Sequence, residues 1–127
     1  MQHARAIRFQ NLLCRYSFAT TLTALFAIAV LSLGPLGHLG GSEGVEITLH
    51  ILLYAIAVLP VSAAPIATYY WASLLALLLG LVLEFLQPAV GLDANLGNLI
   101  ANSVGIMIGF LLGRAIQLAL GAAERSR

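Results

Sequence analysis

The sequence predicts an all-α, polytopic membrane protein, a four-transmembrane-helix bundle with both termini cytoplasmic. Three observations carry that prediction. Of 127 residues, 61% are hydrophobic and only 9% charged, against the near-quarter charged fraction of ordinary soluble domains. The apolar residues gather into four runs, each near the roughly 20 residues needed to cross a ~30 Å hydrocarbon layer. The six basic residues are all arginines, placed before the first run or in and beyond the last turns of the fourth. A water-soluble chain of this size could not hide so much apolar surface and still cover itself with polar groups. The lipid bilayer is therefore the expected partner. A net charge of +1 and the lack of a basic face with interleaved aromatics argue against nucleic acid.

Residues 1–15 form a basic N-terminal segment with Arg5, Arg8 and Arg15, expected on the cytoplasmic side. The first apolar run, Tyr16 to Leu36, exceeds the 7–15-residue core of a signal peptide and is expected to remain as a span. Cys14 is the sole cysteine, which excludes an intramolecular disulfide and a cysteine metal cage. Gly34-Pro35 and the glycines from Gly37 to Gly44 mark a turn. The second run goes from Glu46 to Ala63, with Pro60 and Pro65 bracketing a tight uncharged connection over Val61 to Ala64. The third, Ile66 to Gln87, opens with Tyr69, Tyr70 and Trp71, aromatic residues suited to a membrane–water boundary. Pro88 ends it. Ala89 to Gly97 is a loop carrying Asp93 and Asn95, the fourth run spans Asn98 to Ala119, and residues 120–127 form a tail. One transmembrane domain over 16–119 results.

Neither the connection between the first two helices nor that between the last two contains Lys or Arg. With an even number of spans both termini share a side, and the positive-inside rule assigns that side to the cytoplasm of a cell (inner) membrane. This topology gathers the polar residues. Glu46, His50 and Tyr54 recur at i, i+4 and i+8 on one face of helix two. Glu84 and Gln87 lie on the last turn of helix three. Asn95, Asn98 and Asn102 enter helix four, and Gly105 continues their face. Every one of them falls at the extracytoplasmic end.

A charged residue at the centre of a membrane helix costs about 2.5–3.5 kcal/mol, and those retained face the bundle interior or a water-filled cavity. The expected result is a shallow, outward-opening polar pocket walled by helices two, three and four. Glu84 and His50 are the acid–base candidates; Tyr54, Gln87, Asn98 and Asn102 are candidate binding residues. Plainer roles fit several of them. Asn98 and Asn102 suit interhelical hydrogen bonds worth about 0.6–2 kcal/mol, His50 and Tyr54 suit a headgroup boundary pair, and Glu46 and Asp93 suit solvated loop charges. Glu84 with Gln87 is hardest to explain that way. Gly105, Gly109 and Gly113, extended upstream by Ala101, let two helices approach closely, either inside the bundle or in a homo-oligomer or other membrane-protein partner.

Motifs for nucleotide binding, metalloproteolysis or serine hydrolysis are absent. One histidine beside a carboxylate falls short of the three protein ligands of a usual zinc site. No metal or cofactor is expected, and charge is too sparse for a voltage sensor or ion-selective ring.

The H-x-x-x-Y of His50 and Tyr54, the E-x-x-Q of Glu84 and Gln87, and N-L-I-A-N-S-V-G from Asn98 to Gly105 together resemble the VanZ-like family of small bacterial membrane proteins. The resemblance covers about residues 46–113. The chain departs from the family pattern at three places: Glu46-Ile47 stands for Asp-Lys, Asp93 lies where an arginine is common, and Asn98 replaces an aspartate. Charges of both signs are lost, so the pocket stays near neutral. The resemblance implies a cell-envelope role, in exopolysaccharide processes or in resistance to glycopeptides of the teicoplanin type. It carries over His50, Tyr54, Glu84, Gln87 and Asn102, with Asn98 as a substituted position.

Three functions follow as expectations. The first is a non-enzymatic protein that binds an envelope glycan or lipid-linked precursor, with Tyr54 as a stacking ring. The second is a membrane-embedded enzyme using Glu84 and His50 on a lipid-linked substrate. The third is a structural subunit docking through the helix-four glycines.

Overall fold

Four long helices account for almost all of the computed structural model, which describes residues 2–34, 43–64 and 68–125. They are α1 (Gln2–Ser32), α2 (Glu43–Ala63), α3 (Thr68–Leu86) and α4 (Leu96–Arg125), with one 3-10 turn over Gln87–Val90 between the last two. Among the described residues there is no strand. Each helix contains a stretch long and apolar enough to cross a membrane: Arg15–Ser32, Gly44–Ala63, Tyr69–Val90 and Leu96–Ala123. The glycine-rich residues 35–42 and the connection at 65–67, with Pro65, lie outside the described residues, as does the side chain of Cys14.

Beyond short extensions at the starts of α2 and α4, the helices exceed the sequence expectation at three ends, for local reasons. α1 begins at Gln2 because no Gly or Pro interrupts the chain before Gly34. α4 continues past Ala119 through Leu-Gly-Ala-Ala-Glu-Arg, mostly strong helix formers. α2 runs through Pro60 to Ala63, so that proline does not begin the connection. Pro60 has no N–H to offer the carbonyl four residues back. In that same turn the Thr21 hydroxyl of α1 donates to the Ala57 carbonyl at 2.8 Å. The carbonyl that Pro60 leaves without its helical donor is the preceding one, that of Ile56.

The bundle is built inside out relative to a soluble protein. Phe85 is 77% exposed while its neighbour Glu84 is 7% exposed. Phe26, Ile56, Trp71, Leu96 and Ile100 also face outward, whereas Ser17, Thr21, Ser62, Asn98 and Asn102 are buried. Only an apolar surrounding makes that distribution favourable. Hydroxyls on the outer surface are silenced locally: Thr20, Thr23, Thr48 and Ser103 each donate to the carbonyl four residues earlier.

The most extensive packing is between α2 and α4. A Cβ added at Gly105 or Gly109 would collide with the carbonyl oxygens of Ile51 or Ala55, and one at Gly113 would stand 2.8 Å from the Ser62 carbonyl carbon. The glycine face of α4 is thus spent inside the bundle, against α2. Tyr54, Val58, Leu25, Ile28, Ala76, Leu83 and Ile106 fill the interior beside that seam.

Candidate functional site: a polar cluster at one end of the bundle

The start of α2, the end of α3 and the start of α4 meet at one end. Contacts fix this arrangement: Glu46 of α2 bonds Asn98 of α4, and Glu84 of α3 bonds the chain just before α4. The opposite end holds the described arginines of α4. There the Arg114 guanidinium of α4 lies 4.7 Å from the ring centroid of Tyr69 at the start of α3, a cation–π contact. Tyr69, Tyr70 and Phe110 cluster beside it, with Tyr70 and Trp71 facing outward. Acids gather at the other pole. Glu46, Glu84 and Asp93 lie there.

Glu84 has a structural task that its position in the sequence does not disclose. Its carboxylate accepts the backbone N–H of Asn95. Asn95 in turn caps α4: its Oδ1 accepts from the Gly97 N–H at 2.8 Å, and its carbonyl accepts from the Asn98 N–H at 2.9 Å. A side-chain oxygen on the second N–H of a helix is the usual N-cap arrangement, and a carboxylate there also meets the positive end of the helix dipole. Glu84 therefore ties the last turn of α3 to the first turn of α4. The chain between them folds as the 3-10 turn, closed by Gly91 at φ +80°. From this left-handed conformation the Gly91 N–H donates to Pro88 and the Leu92 N–H to Gln87.

Two side-chain bonds join α2 to α4 one turn apart. Asn98 Nδ2 donates to Glu46 Oε1 at 2.7 Å, and His50 Nδ1 lies 2.8 Å from Asn102 Oδ1. An amide oxygen only accepts, so Nδ1 of His50 is the donor of this pair. Glu84 lies within electrostatic range of His50, Glu46 and Tyr54. Sequence reasoning brought Glu46, His50, Tyr54, Glu84, Asn95, Asn98 and Asn102 to this end, and the structure places all of them there. It also adds Gly80 of α3. A Cβ at Gly80 would stand 2.9 Å from Asn102 Nδ2 and 3.2 Å from the Tyr54 hydroxyl. The one available signal was an isolated glycine in an otherwise leucine-rich helix.

Tyr54 requires a correction. Its ring is buried in the core, so it neither reaches a headgroup layer nor presents a face for stacking. Its hydroxyl, Gln87 Oε1 and Asn98 Oδ1 have no hydrogen-bond partner among the described residues. Glu46 and Asp93 are exposed and His50 is half-buried, forming the rim of the cluster. A groove of about 290 Å³ lies elsewhere, between α3 and α4, and is apolar apart from Ser73 and Ser103. Among the described residues no three of His, Cys, Asp and Glu gather as a metal site. No protein-family model, curated protein or solved structure matches the chain.

Proposed function

We propose that this is a VanZ-like, multi-pass protein of the cell membrane, with both termini in the cytoplasm and the polar cluster open to the outside. Its role is to bind an envelope glycan, a lipid-linked precursor or a glycopeptide-like molecule as an accessory to envelope or exopolysaccharide processes or to teicoplanin-type resistance. One observation supports this reading above the others: buried Glu84, Gln87, Asn98 and Asn102 lie with His50 and Glu46 at the end of the bundle opposite Arg114. Polar side chains inside a membrane bundle are costly and mark sites by default.

Topology is tested first. In a Cys14→Ser background, single cysteines at Asp93 and at Arg125 are exposed to a membrane-impermeant maleimide on intact cells. Labelling at 93 alone is expected; labelling at 125 alone would reverse the orientation and remove the outward site. Function is then read by deletion and complementation, scoring exopolysaccharide and teicoplanin susceptibility. Glu84→Ala should fail to complement.

A second reading, catalysis on a lipid-linked substrate, has one observation in its favour: His50, whose Nδ1 pairs with Asn102, sits within electrostatic range of Glu84. Glu84→Gln keeps an acceptor for the Asn95 N–H and removes the proton exchange. Full complementation by Glu84→Gln would leave binding and eliminate acid–base chemistry. The docking-subunit reading lacks a free surface, because α2 already covers Gly105, Gly109 and Gly113.

A further inference from the structure

We infer that the polar cluster holds a primary ammonium group and discriminates against phosphate. The inference rests on the proposed binding role and specifies which part of an envelope molecule the site takes.

The groups left over at this end favour a cationic donor. Asn98 is 1% exposed, and its amide is oriented by the bond from Nδ2 to Glu46 Oε1, so its Oδ1 stands beside that carboxylate with no partner among the described residues. Gln87, 4% exposed and one turn beyond Glu84, leaves Oε1 in the same condition. Amide oxygens only accept, and buried acceptors are costly without a donor. The Glu46 carboxylate bonds Asn98 directly, and Glu84 lies within electrostatic range of both Glu46 and His50. The described arginines of α4 and the N-terminal half of α1 are at the other end, and the chain contains no lysine.

Phosphate, by contrast, would bring only acceptors and more negative charge. Two helix amino ends that attract anions lie here: Glu84 and the Asn95 side chain already occupy that of α4, and that of α2 carries the exposed carboxylate of Glu46. A metal ion is a poorer fit than ammonium, since no three acidic or imidazole ligands gather among the described residues. An ammonium needs three acceptors of any kind, amide oxygens included.

The test uses the full chain in phosphatidylcholine nanodiscs and probes that share a tail: dodecylamine, dodecyl glucoside and dodecyl phosphate, with ethylamine as the tail-free arm. Dodecylamine should bind saturably and at least roughly tenfold tighter than dodecyl phosphate, the scale of one charge-assisted hydrogen bond. Asn98→Leu should remove that preference. Since that variant could also loosen the fold, Glu46→Gln provides the second arm: it keeps an acceptor for Asn98 Nδ2, should leave the melting temperature unchanged, and should still lose the preference. Ethylamine binding as well would assign a soluble amine, and dependence on the tail a lipid head group. Dodecyl phosphate binding as tightly as the amine overturns the assignment. Glucoside binding without amine preference also overturns it but leaves the binding role standing. No saturable binding of any probe ends both.

Discussion

Along Gly105, Gly109 and Gly113, helix α4 lies against the backbone of α2, whereas along Ser103, Ile106, Met107 and Phe110 it stands off from α3 and leaves a groove of about 290 Å³. The same helix packs in two ways because its two faces differ in side-chain size. In lipid there is no hydrophobic drive to close a gap between large apolar residues, since acyl chains fill it equally well. Small residues act differently: they bring backbones and polar side chains within bonding distance. The Asn98 and Asn102 bonds to Glu46 and His50 sit at the end of the glycine seam. At the α3 side the tie is instead one bond from Glu84 to the Asn95 backbone. Close packing and the polar cluster are thus consequences of one stripe.

The largest effect should come from breaking that stripe. Gly109→Leu places a branched side chain where even a Cβ would collide with Ala55, and overpacking of this kind costs about 3 kcal/mol or more. Melting in detergent, followed by helical circular dichroism and by loss of the monodisperse peak, should show a severe destabilisation. Gly121→Ala is the contrast. The space there is open, the nearest atom being the Arg125 guanidinium at 4.0 Å, and relief of glycine's backbone freedom should stabilise the helix by about 0.5–1 kcal/mol. Equal effects at the two glycines would contradict the packing described.

Much of this was legible in the sequence, and the exceptions have physical reasons. Hydropathy located the four spans, and the i, i+4, i+8 spacing put Glu46, His50 and Tyr54 on one face. Spacing cannot say how far that face is turned inward. Tyr54 is buried and Glu46 exposed because α4 crosses closest through its glycines and because Gly80 of α3 leaves room beside the Tyr54 hydroxyl. Glu84 stood out as a costly carboxylate, but its partner is a backbone N–H eleven residues later, which carries no residue-type signal. Pro60 suggested a helix end. The helix nevertheless continues through it to Ala63.

An intermediate effect is expected at Asn102. Asn102→Leu removes the bond to His50 and leaves Nδ1 without its acceptor, a loss of about 1–2 kcal/mol for an interhelical bond in a membrane protein. The double variant with His50→Leu should cost less than the sum of the single changes, because the unpartnered imidazole disappears with it. Strict additivity would mean that the two side chains do not act as a pair.

The smallest effect belongs to the loose face. Met107 lines the α3–α4 groove and is half exposed to the surroundings. In a soluble core, Met→Ala costs about 2–5 kcal/mol, through lost transfer energy and a residual cavity. Neither contribution applies fully here: acyl chains are as apolar as the side chain they would replace, and an open groove leaves no sealed void. Met107→Ala should therefore shift stability by less than about 1 kcal/mol in bilayers. The shift should grow in a detergent whose short tails fill the groove less well. A large loss in bilayers would mean that this face is packed as tightly as the glycine seam, and the contrast between the two sides of α4 would fail.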